Sequence, residues 1–525
     1  MRLFPADPPT HFTYNAWLRS TRSVCVTATT YGVDMFASIA STALVGVDTR
    51  PVRVEVHAAG SGRASFSIVG LPDTAVREAR ERVLSALAAS GFRVPGSRIT
   101  VNLSPADLPK AGSAYDLPIA LGTLVAMGQV VPAAARVVAL GELALDGTVR
   151  AVRGGLGAAV VARRLSLPCV LAPDAAGEAT RVPGSDVRGA ATLVDAVRVA
   201  LGLEPGTVIE PEPDVPPVHG SDLADVRGQA AARRALEVAA AGGHHLLMVG
   251  PPGAGKTMLA ATIPSLLPPL TEEESLEVAL VWGAAGLVRG GSRTPPFRSP
   301  HHTATIAAMV GGGSGLPSPG EVSTAHRGVL FIDELGEVPV RLLDALRQPI
   351  EDGHVTIARR GHTVRFPSAF QLVAATNPCP CGFEGDRLIG CTCTAQAKDR
   401  YRSRFSGPLL DRIDLRVRVE RLDHAAITGP PGEDSKSVRE RVAAARVIQS
   451  ERGGLNRLLG RRLLDEQTYT AGASELLESA VDRFRLSARG WDRVRRVART
   501  IADLAGHEVV DEAAVAEALA YRKAM

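Results

Sequence analysis

Leu246-Leu-Met-Val-Gly250-Pro251-Pro252-Gly253-Ala254-Gly255-Lys256-Thr257-Met258 runs from an apolar stretch through a glycine-rich loop into a helical pattern. That order decides the reading. The loop matches G-x-x-x-x-G-K-[ST] in the strand-loop-helix context that gives the motif its meaning. Its glycines let backbone N–H groups converge on phosphate oxygens, and the helix N-terminus that follows adds a favourable dipole. Lys256 is placed to reach terminal phosphates and Thr257 to coordinate magnesium. Gly250, Pro251, Pro252, Gly253, Ala254, Gly255, Lys256, Thr257 and Met258 are therefore the candidate nucleotide contacts, and ATP and Mg2+ the implied cofactors.

A second apolar run, Val329-Leu-Phe-Ile-Asp333-Glu334, ends in two carboxylates. Phosphoryl transfer needs charge neutralisation and an oriented nucleophile, which assigns Asp333 to the magnesium shell and Glu334 to the attacking water. A third run, Val373-Ala-Ala-Thr-Asn377, ends in an amide suited to the γ-phosphate or the lytic water; an Asn-Pro turn is the plainer reading. Leu409-Leu-Asp-Arg412-Ile-Asp414 offers Arg412 either to a neighbouring subunit's site or to a surface ion pair.

Outward from these runs, 525 residues exceed what one hydrophobic core serves and predict about three domains. The expected class is α/β, with an α/β N-terminal domain, a doubly wound phosphate-loop core and a C-terminal helical lid. Residues 1–34 lack periodicity and read as a disordered extension, leaving Met1 and Met35 both open as starts. Residues 35–202 alternate strand and helix patterns and predict a mixed sheet. The stretch 203–220 is crowded with proline and acidic residues and reads as a linker. Residues 221–430 carry the ATPase core, and in 431–525 the strand signals give way to arginine-rich helical periodicity.

The charge balance of +4 permits contact with nucleic acid without establishing it, and 4% aromatic content disfavours base-stacking platforms, so any such contact involves mainly the backbone. The uncharged stretch 117–135 approaches the length of a membrane span, but its glycines, Gln129 and Pro132 point to a buried helix and a turn. With no signal core and no secreted-type cysteine framework, the expectation is a cytoplasmic protein with no membrane association.

Further stretches carry a family resemblance: Asp225-Val-Arg-Gly-Gln229, Phe297-Arg-Ser-Pro-His-His-Thr303, Pro319-Gly-Glu-Val-Ser-Thr-Ala-His326, Asn377-Pro-Cys-Pro-Cys-Gly382 and Val497-Ala-Arg-Thr-Ile-Ala-Asp503. With the nucleotide motifs they resemble the YifB/ComM family of magnesium-chelatase-like AAA+ proteins from about Met35 onward. The resemblance implies a ring, expected as a homo-hexamer, with Asn377 as first sensor, Arg412 as trans-acting finger and Arg489 as second-sensor arginine. It implies a pore-side insertion at 297–322, in which His301 and His302 are offered either to substrate or to simple packing of the loop. It also implies work on single-stranded or branched DNA, as in branch migration during recombination and transformation. Arg461, Arg462, Arg493, Arg495, Arg496 and Arg499 are candidates for phosphate contact, although a solvated helix face is the commoner meaning of such charge. A magnesium-chelatase motor subunit and a chaperone-like protein remodeller stand as alternatives.

The N-terminal domain resembles the peptidase domain of Lon through Leu108-Pro-Lys-Ala-Gly112, Gly141-Glu-Leu-Ala-Leu-Asp-Gly147 and Val152-Arg-Gly-Gly-Leu156. Ala114 stands where that pattern has the nucleophilic serine and Gly157 where it has the lysine, so the Ser-Lys dyad is missing. Ser113, one position away, is misaligned for the role, and Lys110 and Asp116 read as organising a turn or binding a partner. Finally, Cys379-Pro-Cys381 and Cys391-Thr-Cys393 supply four thiols, the right number for Zn2+, at a spacing tighter than usual; four reduced thiols are the other reading.

Overall fold

The apolar runs that carry the nucleotide motifs have too few polar positions to face water on either side, and the fold buries them accordingly. A computed structural model describes residues 35–522 apart from 60–62, 71–72, 97, 111, 210–221, 290–291, 314–316, 360–361, 406 and 485. The expected N-terminal extension and most of the linker lie outside the described residues. Two compact units result, one within Met1–Asp214 together with Ser275–Ser292, the other within Val215–Glu274 and Arg293–Met525.

The first unit is built on strands β1 (Met35–Val45), β2 (Asp48–Ala58), β3 (Ser65–Val69), β4 (Arg98–Ser104), β5 (Val138–Ala139), β8 (Cys169–Leu171) and β9 (Val187–Gly189) in the order β3-β4-β2-β1-β5-β8-β9, with β6 (Glu142–Leu143) and β7 (Val149–Arg150) as a separate small hairpin. The sheet is mixed: β1 and β2 pair antiparallel over their full length, whereas β5, β8 and β9 run parallel. The uncharged stretch at 117–135 forms a helix, Asp116–Ala126, every residue of which is buried, followed by a short turn at Pro132–Ala135. Among the described residues no helix is long and apolar enough to cross a membrane. Ala279 joins this unit's core beside Leu156 and Val160, a grouping that the contiguous division at 221–430 did not anticipate.

In the second unit, β10 (Leu246–Val249), β11 (Phe297–Arg298), β14 (Val329–Ile332), β17 (Gln371–Thr376) and β18 (Leu415–Arg418) form a five-stranded sheet ordered β11-β14-β17-β10-β18, parallel throughout. Alternate side chains enter two different cores. Leu246, Met248, Val329, Phe331, Val373 and Ala375 pack with the C-terminal helices, while Leu247, Val249, Leu330, Ile332, Leu372 and Ala374 pack with helix Val340–Asp352. Burial on both faces explains the continuous apolar runs. Two small hairpins, β12 (Gly311–Gly312) with β13 (Ser318–Pro319) and β15 (His354–Arg359) with β16 (His362–Pro367), decorate this core. Helices Ser435–Arg452, Ala471–Phe484, Ala488–Leu504 and Glu512–Ala520 complete the unit.

The arginines offered for DNA contact are largely consumed by this helical packing, which corrects the expectation from charge. Arg493 ion-pairs with buried Asp414 at 3.2 Å, Arg495 with Asp465 at 2.9 Å, and Arg496 donates to the Leu459 carbonyl at 2.8 Å. Arg499 is fully buried against Asp503. Only Arg461 and Arg462 of that set are strongly exposed, and each lies within 4.0 Å of an acid one turn on. Helical periodicity located the helix but not which of its arginines point inward.

Asp414 joins the sheet to these helices. Its carboxylate accepts the His245 backbone N–H at 3.0 Å and lies 3.7 Å from His244 Nδ1. Burial pushes the carboxyl upward, but His244 and Arg493 outweigh it and hold it below the usual carboxylate range. Burial, with the nearby Arg457 guanidinium, holds the His245 imidazole well below 6.5 and therefore neutral. Removing one member of such a network strands a buried charge, so Asp414→Ala should destabilise the chain by about 3–5 kcal/mol, measured as a shift in denaturant midpoint. For His245 the unfolded chain binds the extra proton, so stability should decline as pH falls below about 6.5 in urea titrations between about pH 5 and 8.

Candidate functional site

Strands β10, β14 and β17 are neighbours, and the motif residues leave their C-terminal ends side by side, the place where open parallel sheets bind ligands. The loop after β10 turns through Gly253 (φ +76°) and Gly255 (φ +88°) before helix Lys256–Leu266 begins. At Gly250 even a Cβ would collide with the Val419 carbonyl, so the loop's close seat against the chain after β18 requires glycine. Lys256 is buried, and its ammonium donates to the Gly250 carbonyl at 2.7 Å, the Pro251 carbonyl at 2.9 Å and Asn377 Oδ1 at 3.2 Å. Burial lowers its pKa, and the carboxylates of Asp333 and Glu334 work against that shift.

Thr257 Oγ1 donates to Asp333 Oδ2 at 2.6 Å, so the hydroxyl and carboxylate expected to share a magnesium ion already lie together. A hard dication takes oxygen ligands of this kind, and the pair fits one. Glu334 follows in the left-handed region at φ +48°, uncommon for a residue with a side chain, and its own N–H donates to Asp333 Oδ1 at 2.8 Å. The bend turns the two adjacent acids in different directions. Glu334 Oε2 then lies 3.1 Å from His302 Nδ1, on the exposed loop that leaves β11. The sequence reading of His302, substrate contact or loop packing, does not include this pairing.

The remaining predicted residues are placed differently. Arg412 is buried and pairs with Glu351 of its own chain at 2.5 Å, so presenting it to a neighbouring copy requires breaking that ion pair. Arg489 is exposed in the first turn of Ala488–Leu504, and among the described residues no hydrogen bond or ion pair joins it to the phosphate-loop group. Met258 is 47% exposed on the helix after the loop. Cys379, Cys381, Cys391 and Cys393 come together with all four Sγ atoms within 4.8 Å of one another. A cavity of about 160 Å³ opens beside the phosphate loop, lined by Pro251, Pro378, Asp386, Arg418 and Arg421.

In the first unit, the groups once considered for peptidase chemistry are engaged elsewhere. Lys110 is buried and donates to the Pro105 carbonyl, while Ser113 donates to Glu142. Asp116 is buried against Arg82, which donates Nε at 2.6 Å and Nη2 at 3.0 Å, and burial pushes its carboxyl up to about 6. At Gly157 an added Cβ would run into Thr49 Oγ1, so there is no room for a lysine stem.

A parallel sheet delivering a phosphate loop, an Asp-Glu pair and a polar sensor position from adjacent strands defines a P-loop ATPase of the AAA+ type. Family models described as "Magnesium chelatase, subunit ChlI", "Subunit ChlI of Mg-chelatase" and "Magnesium chelatase, subunit ChlI C-terminal" match residues 222–427, 54–176 and 432–522. The chain is 42% identical over 502 residues to "Competence protein ComM" of Haemophilus influenzae, covering 93% of this chain and 97% of that protein. It is 42% identical over 488 residues to "Uncharacterized protein YifB" of Escherichia coli, covering 91% and 96%. An "Archaeal Lon protease" of Methanocaldococcus jannaschii shares 30% identity over 123 residues, 23% of this chain and 15% of that protein. The chain belongs to the YifB/ComM family of magnesium-chelatase-like proteins. Because a ChlI model also matches 54–176, the N-terminal unit does not by itself separate this family from chelatase subunits.

Installing the missing dyad as Ala114→Ser with Gly157→Lys should yield no peptidase activity on a fluorogenic peptide. Gly157→Lys alone should lower stability by about 1–3 kcal/mol through overpacking against Thr49, read as a fall in melting temperature.

Proposed function

We propose that this chain couples ATP hydrolysis to the movement of DNA strands, acting as a ring, a homo-hexamer, on single-stranded or branched DNA during recombination or natural transformation. The observation that carries this reading is the identity with a protein named for competence along nearly the whole of both chains, the N-terminal unit included. The geometry supports its motor half. Lys256 is the group that would draw a terminal phosphate into the loop, and Thr257 and Asp333 would hold magnesium, which supplies charge neutralisation when bound. Glu334, paired with His302 at 3.1 Å, is the carboxylate that would orient water, with Asn377 reaching in from the next strand.

In the ring, Arg412 would leave Glu351 to enter the neighbouring site, and Arg489 would close on it from the lid. DNA would be held mainly through its backbone, with the exposed Arg461 and Arg462 and the loop carrying His301 and His302 as contacts. The magnesium-chelatase and protein-remodelling readings share the same ATP chemistry, so the substrate distinguishes them.

Lys256→Ala should abolish nucleotide binding in a fluorescent-nucleotide titration. Glu334→Gln should bind ATP normally and hydrolyse it at least about 100-fold more slowly, the scale expected for a missing proton acceptor. Normal turnover by that variant would remove Glu334 from its role. For the substrate, ATPase rate should rise with single-stranded and branched DNA and not with porphyrin or an unfolded protein. The DNA affinity should weaken steeply with salt, as phosphate contacts do; no binding even at low salt overturns the DNA reading.

A further inference from the structure

We infer that Cys379, Cys381, Cys391 and Cys393 hold one zinc ion, and that this ion fixes the loop presenting Asn377 to the phosphate-loop lysine. Sγ of Cys379 lies 3.4 Å from that of Cys381 and 3.6 Å from that of Cys391, and Cys381 and Cys391 are 3.6 Å apart. Four thiolates at about 2.3 Å from a tetrahedral zinc stand about 3.8 Å from one another, so the cluster already has the edge length of such a site. A disulfide needs about 2.05 Å, and all four cysteines are free. An iron–sulfur cluster of several irons spreads its ligands more widely than 4.8 Å, which selects a single ion. Among single ions, soft thiolates in this geometry favour zinc.

The surroundings are built to hold the ligands. The Cys381 backbone N–H points at Cys393 Sγ at 3.3 Å, the kind of donor that steadies a thiolate. The loop between the two pairs has its own brace: Asp386 accepts the backbone N–H groups of Leu388 at 2.8 Å and Ile389 at 3.0 Å, and Arg421 Nε at 3.1 Å. Each pair therefore arrives from a loop end whose path is already set.

The consequence for the ATP site follows from Gly382, directly after the first pair. At φ +86° it turns back so tightly that a Cβ there would stand 2.7 Å from Pro252 Cδ of the phosphate loop and 3.8 Å from Asn377 Cγ. The knot thus sits on the phosphate loop and, two residues after Asn377, fixes the chain that carries the Asn377 amide to Lys256. The cysteines are positioning residues in this scheme. The positioning half of the inference rests on the ATP reading of the phosphate loop; the metal half does not.

The test uses the full chain purified under reducing conditions. Elemental analysis should find about one zinc per chain, and a cobalt(II)-exchanged sample should show the intense visible bands of a tetrahedral thiolate site. Cys391→Ser should lose the metal and lower kcat for ATP about 10-fold or more with KM little changed, the scale of a lost supporting contact. Should that variant misfold, stripping zinc from the wild-type chain with a mercurial and restoring it should remove and return kcat. Metal-free protein whose four thiols react freely with a thiol reagent in added zinc overturns the site, as does a coloured iron–sulfur species. Zinc bound at one per chain with kcat indifferent to its removal overturns the positioning role alone. A wild-type chain that holds zinc but hydrolyses no ATP overturns the ATP reading and, with it, the positioning role, leaving the metal site standing.

Discussion

Three strand ends held in register carry the ATP chemistry proposed for this molecule. β10, β14 and β17 lie side by side in a sheet that is buried on both faces, and the ends of their apolar runs are where polar chemistry begins. Two hydrogen bonds tie those ends together: Thr257 to Asp333 and Lys256 to Asn377. A register shift of one residue would rotate each motif away from its neighbour, because side chains alternate across a strand. The two cores on either face forbid that shift, so packing far from the nucleotide loop sets the alignment of its chemistry.

Much of this was readable from the residues, for a physical reason. A strand buried on both sides has no polar alternation, and a phosphate loop has a spacing that few other structures need, so the combination is hard to mistake. What escaped the sequence was pairing between distant side chains. Arginine-rich periodicity in 488–504 showed a helix, yet Arg493, Arg495 and Arg499 serve Asp414, Asp465 and Asp503, and only coordinates reveal such partners. Arg412 is a similar case, since its ion pair with Glu351 joins residues 61 positions apart. The grouping of Ser275–Ser292 with the N-terminal unit left no compositional trace either.

His302 illustrates a third kind of gap. Its motif was visible, but a motif does not name the distant partner, here Glu334 at 3.1 Å. Four residues further along, exposed Ile306 begins the short helix that precedes the glycine-rich β12 hairpin. The carboxylate closest to the proposed chemistry is therefore in contact with a surface loop as well as with its own strand, and the unusual backbone at Glu334 is what gives the side chain that reach.

The packing at Gly157 has a different kind of consequence. A working Lon-type dyad would need a nucleophile at 114, a lysine at 157 and something smaller than threonine at 49, since Thr49 fills the space the lysine stem would cross. Any one of these changes alone either adds nothing or disturbs a well-filled interior. Proteolysis therefore lies several coordinated substitutions away from this chain, because Thr49 occupies the space that a lysine at 157 would need.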